Sequence, residues 1–98
     1  MDEQDIVGWS NEDFQIFLVR CEHAYVGQGF HRKRVGLNHL AFRAGSKEEV
    51  DLFCREFLGP RKIRVLYGGP KAYPQYSPNY YSVYFEDPDR IKLELMHT

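Results

Sequence analysis

Glu94 and His39 are the residues with the clearest capacity for chemistry in this chain. Glu94 lies in the run Ile91-Lys92-Leu93-Glu94-Leu95-Met96-His97, mid-strand, with its side chain directed away from the two flanking leucines. A carboxylate in that position is either on a solvated face or held in a cavity by a cation. His39 lies in Gly36-Leu37-Asn38-His39-Leu40-Ala41-Phe42, where alternation puts Leu37, His39, Ala41 and Arg43 on one face. An imidazole across from a carboxylate could bind a divalent ion, but on residue type alone the commoner reading is a satisfied core or surface histidine, with Glu94 solvated and Lys92 as its partner. Tyr73, Tyr76, Tyr80, Tyr81 and Tyr84 could line a ligand cavity or pack a sheet edge. Cys21 and His23 could coordinate a metal, but no second pair follows at useful spacing. The basic run Arg32-Lys33-Arg34, with Arg61, Lys62 and Arg64, could meet nucleic acid beside tyrosines that stack on bases. Solvated loop charges are the simpler reading, because 13 basic residues balance 14 acidic ones.

The elements that must position these residues follow from local patterns. Tyr80 to Glu86 and Ile91 to His97 flank the turn Asp87-Pro88-Asp89-Arg90 and form a hairpin. Val35 to Ala44 and Lys62 to Tyr67 read as further strands, the second broken by Gly68-Gly69-Pro70. Between them, Ser46-Lys47-Glu48-Glu49 forms a capping box, with the Ser46 hydroxyl on the Glu49 amide and the Glu49 carboxylate on the Ser46 amide. The stripe Val50, Phe53, Cys54, Phe57, Leu58 then defines a helix over 46–58, ended by Gly59 and Pro60. The face with Leu40, Phe42, Leu93 and Leu95 receives the helix, and the opposite face carries His39 and Glu94. Phe14 to Val19 is a strand ahead of an irregular linker, and residues 1–8 are expected to be loose. The expected organisation is therefore a remnant strand and linker over 1–34 and a strand-helix-strand-strand-strand unit over 35–98. This is an α+β layer with one helix on a mostly antiparallel sheet. Residues 11–19 also lie over residues 88–96 as a weak internal echo, with Phe17 in the place of Glu94.

Ninety-eight residues, 43% hydrophobic with seven Phe and seven Tyr, make one small domain, and a chain of this size buries roughly two-thirds of its unfolded surface. The two cysteines are too few for a disulfide framework or a zinc ribbon. Neither a membrane span nor a signal-like start is present in the sequence, and the expected location is the cytoplasm.

The strand 36–42, the capped helix, the loop Tyr73-Pro74-Gln75-Tyr76-Ser77-Pro78-Asn79-Tyr80-Tyr81 and the ending Asp87-Pro88-Asp89-Arg90-Ile91-Lys92-Leu93-Glu94-Leu95 occur in that order. Together they resemble the glyoxalase/bleomycin-resistance/extradiol-dioxygenase superfamily, the vicinal oxygen chelate fold. The resemblance implies a βαβββ module over 35–98, a second module of which only residues 10–20 match the tail, and Arg90 in a turn position where the family usually has Gly. It implies metal ligands at His39 and Glu94, with Glu94 also catalytic, and substrate contacts at Tyr81 or Tyr84. The implied chemistry is that of a lyase, isomerase, dioxygenase or resistance transferase acting on a small oxygenated molecule. The alternative is a metal-free module that binds a small molecule without catalysis. Two protein ligands fall short of the three that a catalytic zinc usually takes, and Phe17 stands where the first module's tail could supply a carboxylate. The resemblance therefore implies a homodimer in which two His39 and two Glu94 side chains converge on Zn²⁺, Ni²⁺, Mn²⁺ or Fe²⁺. Nucleic acid and membrane are not among the expected partners.

Overall fold

The structure is a computed structural model that describes residues 6–98. Its element order is β1 (Ile6–Ser10), β2 (Gln15–Val19), a 3-10 segment (His23–Gln28), β3 (His39–Arg43), α1 (Lys47–Phe53), a π-helical turn (Cys54–Leu58), β4 (Val65–Ala72), β5 (Tyr81–Glu86) and β6 (Lys92–His97). The strands form two sheets. One is the β1–β2 hairpin; the other is four-stranded with the order β3-β6-β5-β4. In the larger sheet β3 runs parallel to β6, and the other neighbours are antiparallel. This is the α+β, βαβββ arrangement expected from the sequence.

The closing hairpin forms as anticipated. Tyr84 pairs with Glu94 and Ser82 with Met96. Asp87 Oδ1 accepts the backbone N–H groups of Asp89 and Ile91, an Asx-type turn. Arg90 takes the left-handed conformation at φ 70°, a position at which a side chain costs about 1 kcal/mol or more.

The helix is capped by Ser46, whose Oγ accepts the Glu49 N–H at 3.1 Å. The reciprocal half of the box differs from expectation: the Glu49 carboxylate takes the Gly45 N–H at 2.6 Å rather than that of Ser46. The helix also does not continue as one regular α-helix to residue 58. After Phe53 it widens into a π-turn, closed by Gly59 N–H on the Cys54 carbonyl at 2.9 Å. A wider turn advances each residue by a smaller angle. Leu58 thereby swings into line with Val50, and Phe57 swings out. Val50 and Leu58 are fully buried, while Phe57 is 39% exposed.

The core joins Ala44, Val50, Leu58 and Val83, with Phe53, Cys54, Ile63, Val65, Tyr81, Phe85 and Leu95 packed around them. The helix therefore covers β5 and β6. Leu40 and Phe42 on β3 were expected beneath it and are not in this cluster; Leu40 is exposed. Burial raises the Cys54 thiol above its ordinary range.

Other boundaries also differ from expectation. β3 is shorter than 35–44 because residues 35–38 lie outside the sheet. β4 does not stop at Gly68. It runs from Val65 through Gly68-Gly69-Pro70 to Ala72, with a register shift between Leu66 and Lys71 that absorbs the unpaired residues. Tyr67 and Gly68 take positive φ there. In the amino-terminal part, residues 1–5 lie outside the described residues, whereas Ile6–Ser10, in part expected to be loose, form β1. β2 thus has a partner in its own hairpin, with Gly8 opposite Phe17. Gly8 is needed because a Cβ there would lie 2.6 Å from the Phe17 ring. Val7, Trp9, Phe17 and Leu18 on this hairpin are all exposed.

Candidate functional site

β5 and β6 alternate their side chains across the sheet. Tyr81, Val83 and Phe85 face the helix, with Leu95 beside them. Tyr80, Ser82 and Tyr84 face the other way, toward Glu94. His39 reaches this face from the first residue of β3.

Glu94 is 2% exposed, and its two oxygens have different partners. Oε2 accepts the Tyr80 hydroxyl at 2.6 Å and the Ser82 hydroxyl at 2.8 Å. Oε1 lies 3.2 Å from His39 Nε2. The other imidazole nitrogen, Nδ1, is 2.7 Å from Asn38 Oδ1. A buried carboxylate needs such partners to offset lost hydration. The arrangement fixes the rotamer of Glu94 through Oε2 and leaves Oε1 directed at the imidazole.

Tyrosines surround this pair. Tyr84 is buried and lies edge-on to His39, centroids 5.7 Å apart. Tyr73 packs edge-on against both Tyr80 and Tyr84. The Tyr73 hydroxyl is buried with no hydrogen-bond partner among the described residues. Burial and the neighbouring carboxylate push Tyr80 up to about 12, and the same causes raise Tyr84 further. Lys92 does not pair with Glu94, as the alternative reading had it. Its ammonium lies 4.9 Å from the Tyr67 ring centroid and 4.7 Å from that of Tyr84. The nearby Lys92 ammonium, a donor to the phenolate form, lowers the pKa of Tyr67. Tyr67, Lys71, Tyr73, Tyr76, Tyr84 and Lys92 line a cavity of about 360 Å³ beside the pair.

Of the residues singled out in the sequence, His39, Glu94 and Tyr84 come together. Tyr81 does not: its hydroxyl donates to Asp51 Oδ1 on the helix at 2.5 Å, on the opposite face of the sheet. Tyr81 and Tyr84 are three positions apart in a strand, and odd spacing separates faces. The same parity rule identifies Tyr80 and Ser82, which the sequence reading did not assign to Glu94. His97 Nδ1 lies 3.2 Å from the Ala44 carbonyl and takes no part. Arg32 is not a free loop charge; it pairs with Glu86 at 2.9 Å.

The fit of a divalent ion can be judged from the donors. Two ligand atoms bound to one ion at about 2.1 Å stand about 3.0–3.4 Å apart, and His39 Nε2 and Glu94 Oε1 are 3.2 Å apart. Asn38 Oδ1 receives the other imidazole nitrogen, as the outer partner of a metal-bound histidine does. The pair fits as two ligands. Among the described residues no group of three His, Cys, Asp or Glu side chains gathers around one point.

No family model matches the chain. A Bacillus subtilis (strain 168) protein, "Uncharacterized protein YqjT", is 40% identical over 90 residues, covering 92% of this chain and 69% of that protein. The crystal structure of "a putative glyoxalase from Bacillus halodurans" superposes with a TM-score of 0.82 at 37% identity, over 93% of this chain and 67% of that one. That of "a glyoxalase/ bleomycin resistance protein/ dioxygenase from Nocardioides" has a TM-score of 0.60 at 18% identity, over 99% of this chain and 64% of that one, a likeness of fold.

Proposed function

Since the chain belongs to the glyoxalase/bleomycin-resistance/dioxygenase superfamily, with its vicinal oxygen chelate fold, we propose that it is a metal-dependent enzyme acting on a small oxygenated substrate. The reaction class is that of a lyase, isomerase or dioxygenase. His39 and Glu94 hold half of a divalent site for Zn²⁺, Ni²⁺, Mn²⁺ or Fe²⁺, and a second copy of the chain supplies the other half. The observation that carries this reading is the 3.2 Å approach of His39 Nε2 to Glu94 Oε1 on a carboxylate whose other oxygen is already satisfied. A bound divalent ion would supply Lewis-acid stabilisation of negative charge developing on substrate oxygens.

The chain's own residues have distinct parts in this scheme. Tyr80 and Ser82 hold Glu94 in one rotamer. Asn38 sets the tautomer of His39. The raised Tyr84 hydroxyl remains a neutral donor at physiological pH and is the candidate substrate contact. Support for a second copy comes from the β1–β2 hairpin, whose apolar side chains are exposed on both faces. Hairpins of two strands are marginal alone, and exposed apolar surface of this kind marks an interface.

The test is analytical ultracentrifugation combined with elemental analysis of the purified protein. The expected result is a dimer with metal, and loss of the metal in His39→Ala and Glu94→Gln. A monomer, or metal content equal in wild type and His39→Ala, rejects the shared site. One observation favours a second reading. The unpartnered Tyr73 hydroxyl beside a tyrosine-lined cavity suits a module that binds a small polar ligand without metal. That reading predicts ligand binding that survives His39→Ala.

A further inference from the structure

On the helix side of the sheet, at the end away from the helix cap, lies a cavity of about 720 Å³. Its floor is apolar, built from Phe57, Ile63, Phe85 and Leu93. Its rim carries four cations, Arg61, Lys62, Arg64 and Arg90, against the carboxylates of Glu86 and Asp87. This site is separate from His39 and Glu94. Phe85 belongs to the helix-side packing, and Leu93 shares its face, whereas Tyr84 and Glu94 point to the other side.

Both carboxylates are already engaged. Arg32 Nη1 lies 2.9 Å from Glu86 Oε1, and Arg90 Nε 3.7 Å from Oε2. Asp87 Oδ1 accepts two backbone N–H groups. Arg61 is held over the Phe57 ring at 4.0 Å while its Nη1 donates to the Phe57 carbonyl. Lys62 and Arg64 have no ion pair among the described residues. The net field over an apolar floor is therefore positive. Two rim residues, Lys62 at φ 54° and Arg90 at φ 70°, also keep side chains in the left-handed region that favours glycine. Such backbone strain, when the surrounding fold sustains it, clusters at binding sites. The π-turn contributes as well, since it swings the Phe57 ring out of the core and into this wall.

We propose that this cavity binds a small amphipathic organic carboxylate, its aromatic or acyl body on Phe57, Ile63, Phe85 and Leu93 and its head between Lys62 and Arg64. A volume of this size is that of small-molecule sites, which combine an apolar lining with a few convergent polar groups. An unpaired guanidinium beside apolar surface recognises a carboxylate by parallel N–H···O bonds.

The test uses the intact protein and naphthalene-2-carboxylate as probe, titrated by calorimetry and by amide chemical shifts. 2-Naphthylmethanol serves as the body without charge and acetate as the head without body. Saturable one-to-one binding of the carboxylate is expected, with each partial probe at least about tenfold weaker, and with shifts confined to residues 57–64 and 85–93. Arg64→Gln and Lys62→Gly should each weaken binding about tenfold, the loss of one charge-assisted contact. Lys62→Gly is the safer variant, since glycine suits φ 54° and the fold is retained. Glu94→Gln should leave binding unchanged, which separates this proposal from the metal site. Equal binding of the alcohol and the carboxylate overturns it. So does unchanged affinity in Lys62→Gly, or shifts that map to the tyrosine face or the β1–β2 hairpin. Absence of binding together with protection of the 57–64 amides in a dimer overturns it too, and assigns the cavity to a second copy.

Discussion

The Tyr80 hydroxyl donates to Glu94 Oε2 across 2.6 Å, from a residue one position ahead of β5. Ser82 donates to the same oxygen. A hydrogen bond to a buried carboxylate contributes about 1.5–3 kcal/mol. Tyr80→Phe should therefore lower stability by about 1.5 kcal/mol, because Ser82 still serves Oε2. The double variant with Ser82→Ala should cost more than the two single changes together, since it leaves a buried charge uncompensated. Urea midpoints of the three variants check this. Additive losses would mean that the two donors act independently.

The π-turn makes an unequal pair of neighbours. Leu58→Ala should cost about 2–5 kcal/mol, as for a fully buried leucine. Phe57→Ala, from an exposed ring, should cost less than half of that. A regular α-helix through residue 58 would give the two sites comparable losses, so thermal or urea unfolding distinguishes the two geometries.

Tyr81 makes stability depend on alkaline pH. Its hydrogen bond to Asp51, with burial and the Asp51 charge, pushes the phenol up to about 12 from an ordinary 10. The folded state therefore holds the proton more tightly than the unfolded state. This contribution is complete below pH 10 and is lost as pH rises from 10 toward 12. Tyr81→Phe should flatten that part of the Tm-against-pH curve and leave the curve below pH 9 parallel to wild type. Asp51→Asn should shift the Tyr81 absorbance titration downward.

The β1–β2 hairpin predicts an association phenotype. Gly8→Ala places a methyl group against the Phe17 ring and should disrupt the hairpin. Phe17→Ser removes exposed apolar surface without touching the larger sheet. Both should move the sedimentation profile toward monomer while the near-ultraviolet signal of the tyrosine cluster persists. An unchanged profile in both variants would place any interface elsewhere.

The larger sheet was legible because its patterns are local. Alternation in Tyr80–Glu86 and Ile91–His97 fixes the hairpin, and the asparagine-like turn role of Asp87 follows from its short side chain. His39 and Glu94 could be placed on one face by parity only together with the assignment of Leu40, Phe42, Leu93 and Leu95 to the other; the β3–β6 register pairs Leu40 with Leu93 and Phe42 with Leu95. Parity also separates Tyr81 from Tyr84, a distinction lost when the tyrosines are taken as a group and not by position. The remaining differences had weaker local signals. Gly68-Gly69-Pro70 reads as a break because proline lacks a donor and glycine weakens strands, yet the register shift on β4 lets the strand pass. The π-turn changes no residue type, so the stripe through Phe57 and Leu58 looks regular. β1 is only five residues, with Gly8 at its centre, and gives little period to detect. The basic residues 61–64 announce charge, but only the fold shows that they frame an apolar cavity.

The order β3-β6-β5-β4 has a consequence for how the site comes into being. Tyr80 and Ser82 reach Glu94 across 14 and 12 positions of chain, whereas His39 reaches it across 55. Closing the longer span costs about 1 kcal/mol more chain entropy, and long-range parallel pairing is slow. The carboxylate and its hydroxyl donors thus assemble within one hairpin, and the imidazole arrives only when β3 docks against β6. An excursion that frees β3 alone removes His39 and leaves Glu94 with both hydroxyls. In hydrogen exchange, the β3 amides should open at lower free energy than those of β5. The candidate metal pair is therefore also a sensor of whether the chain has finished folding.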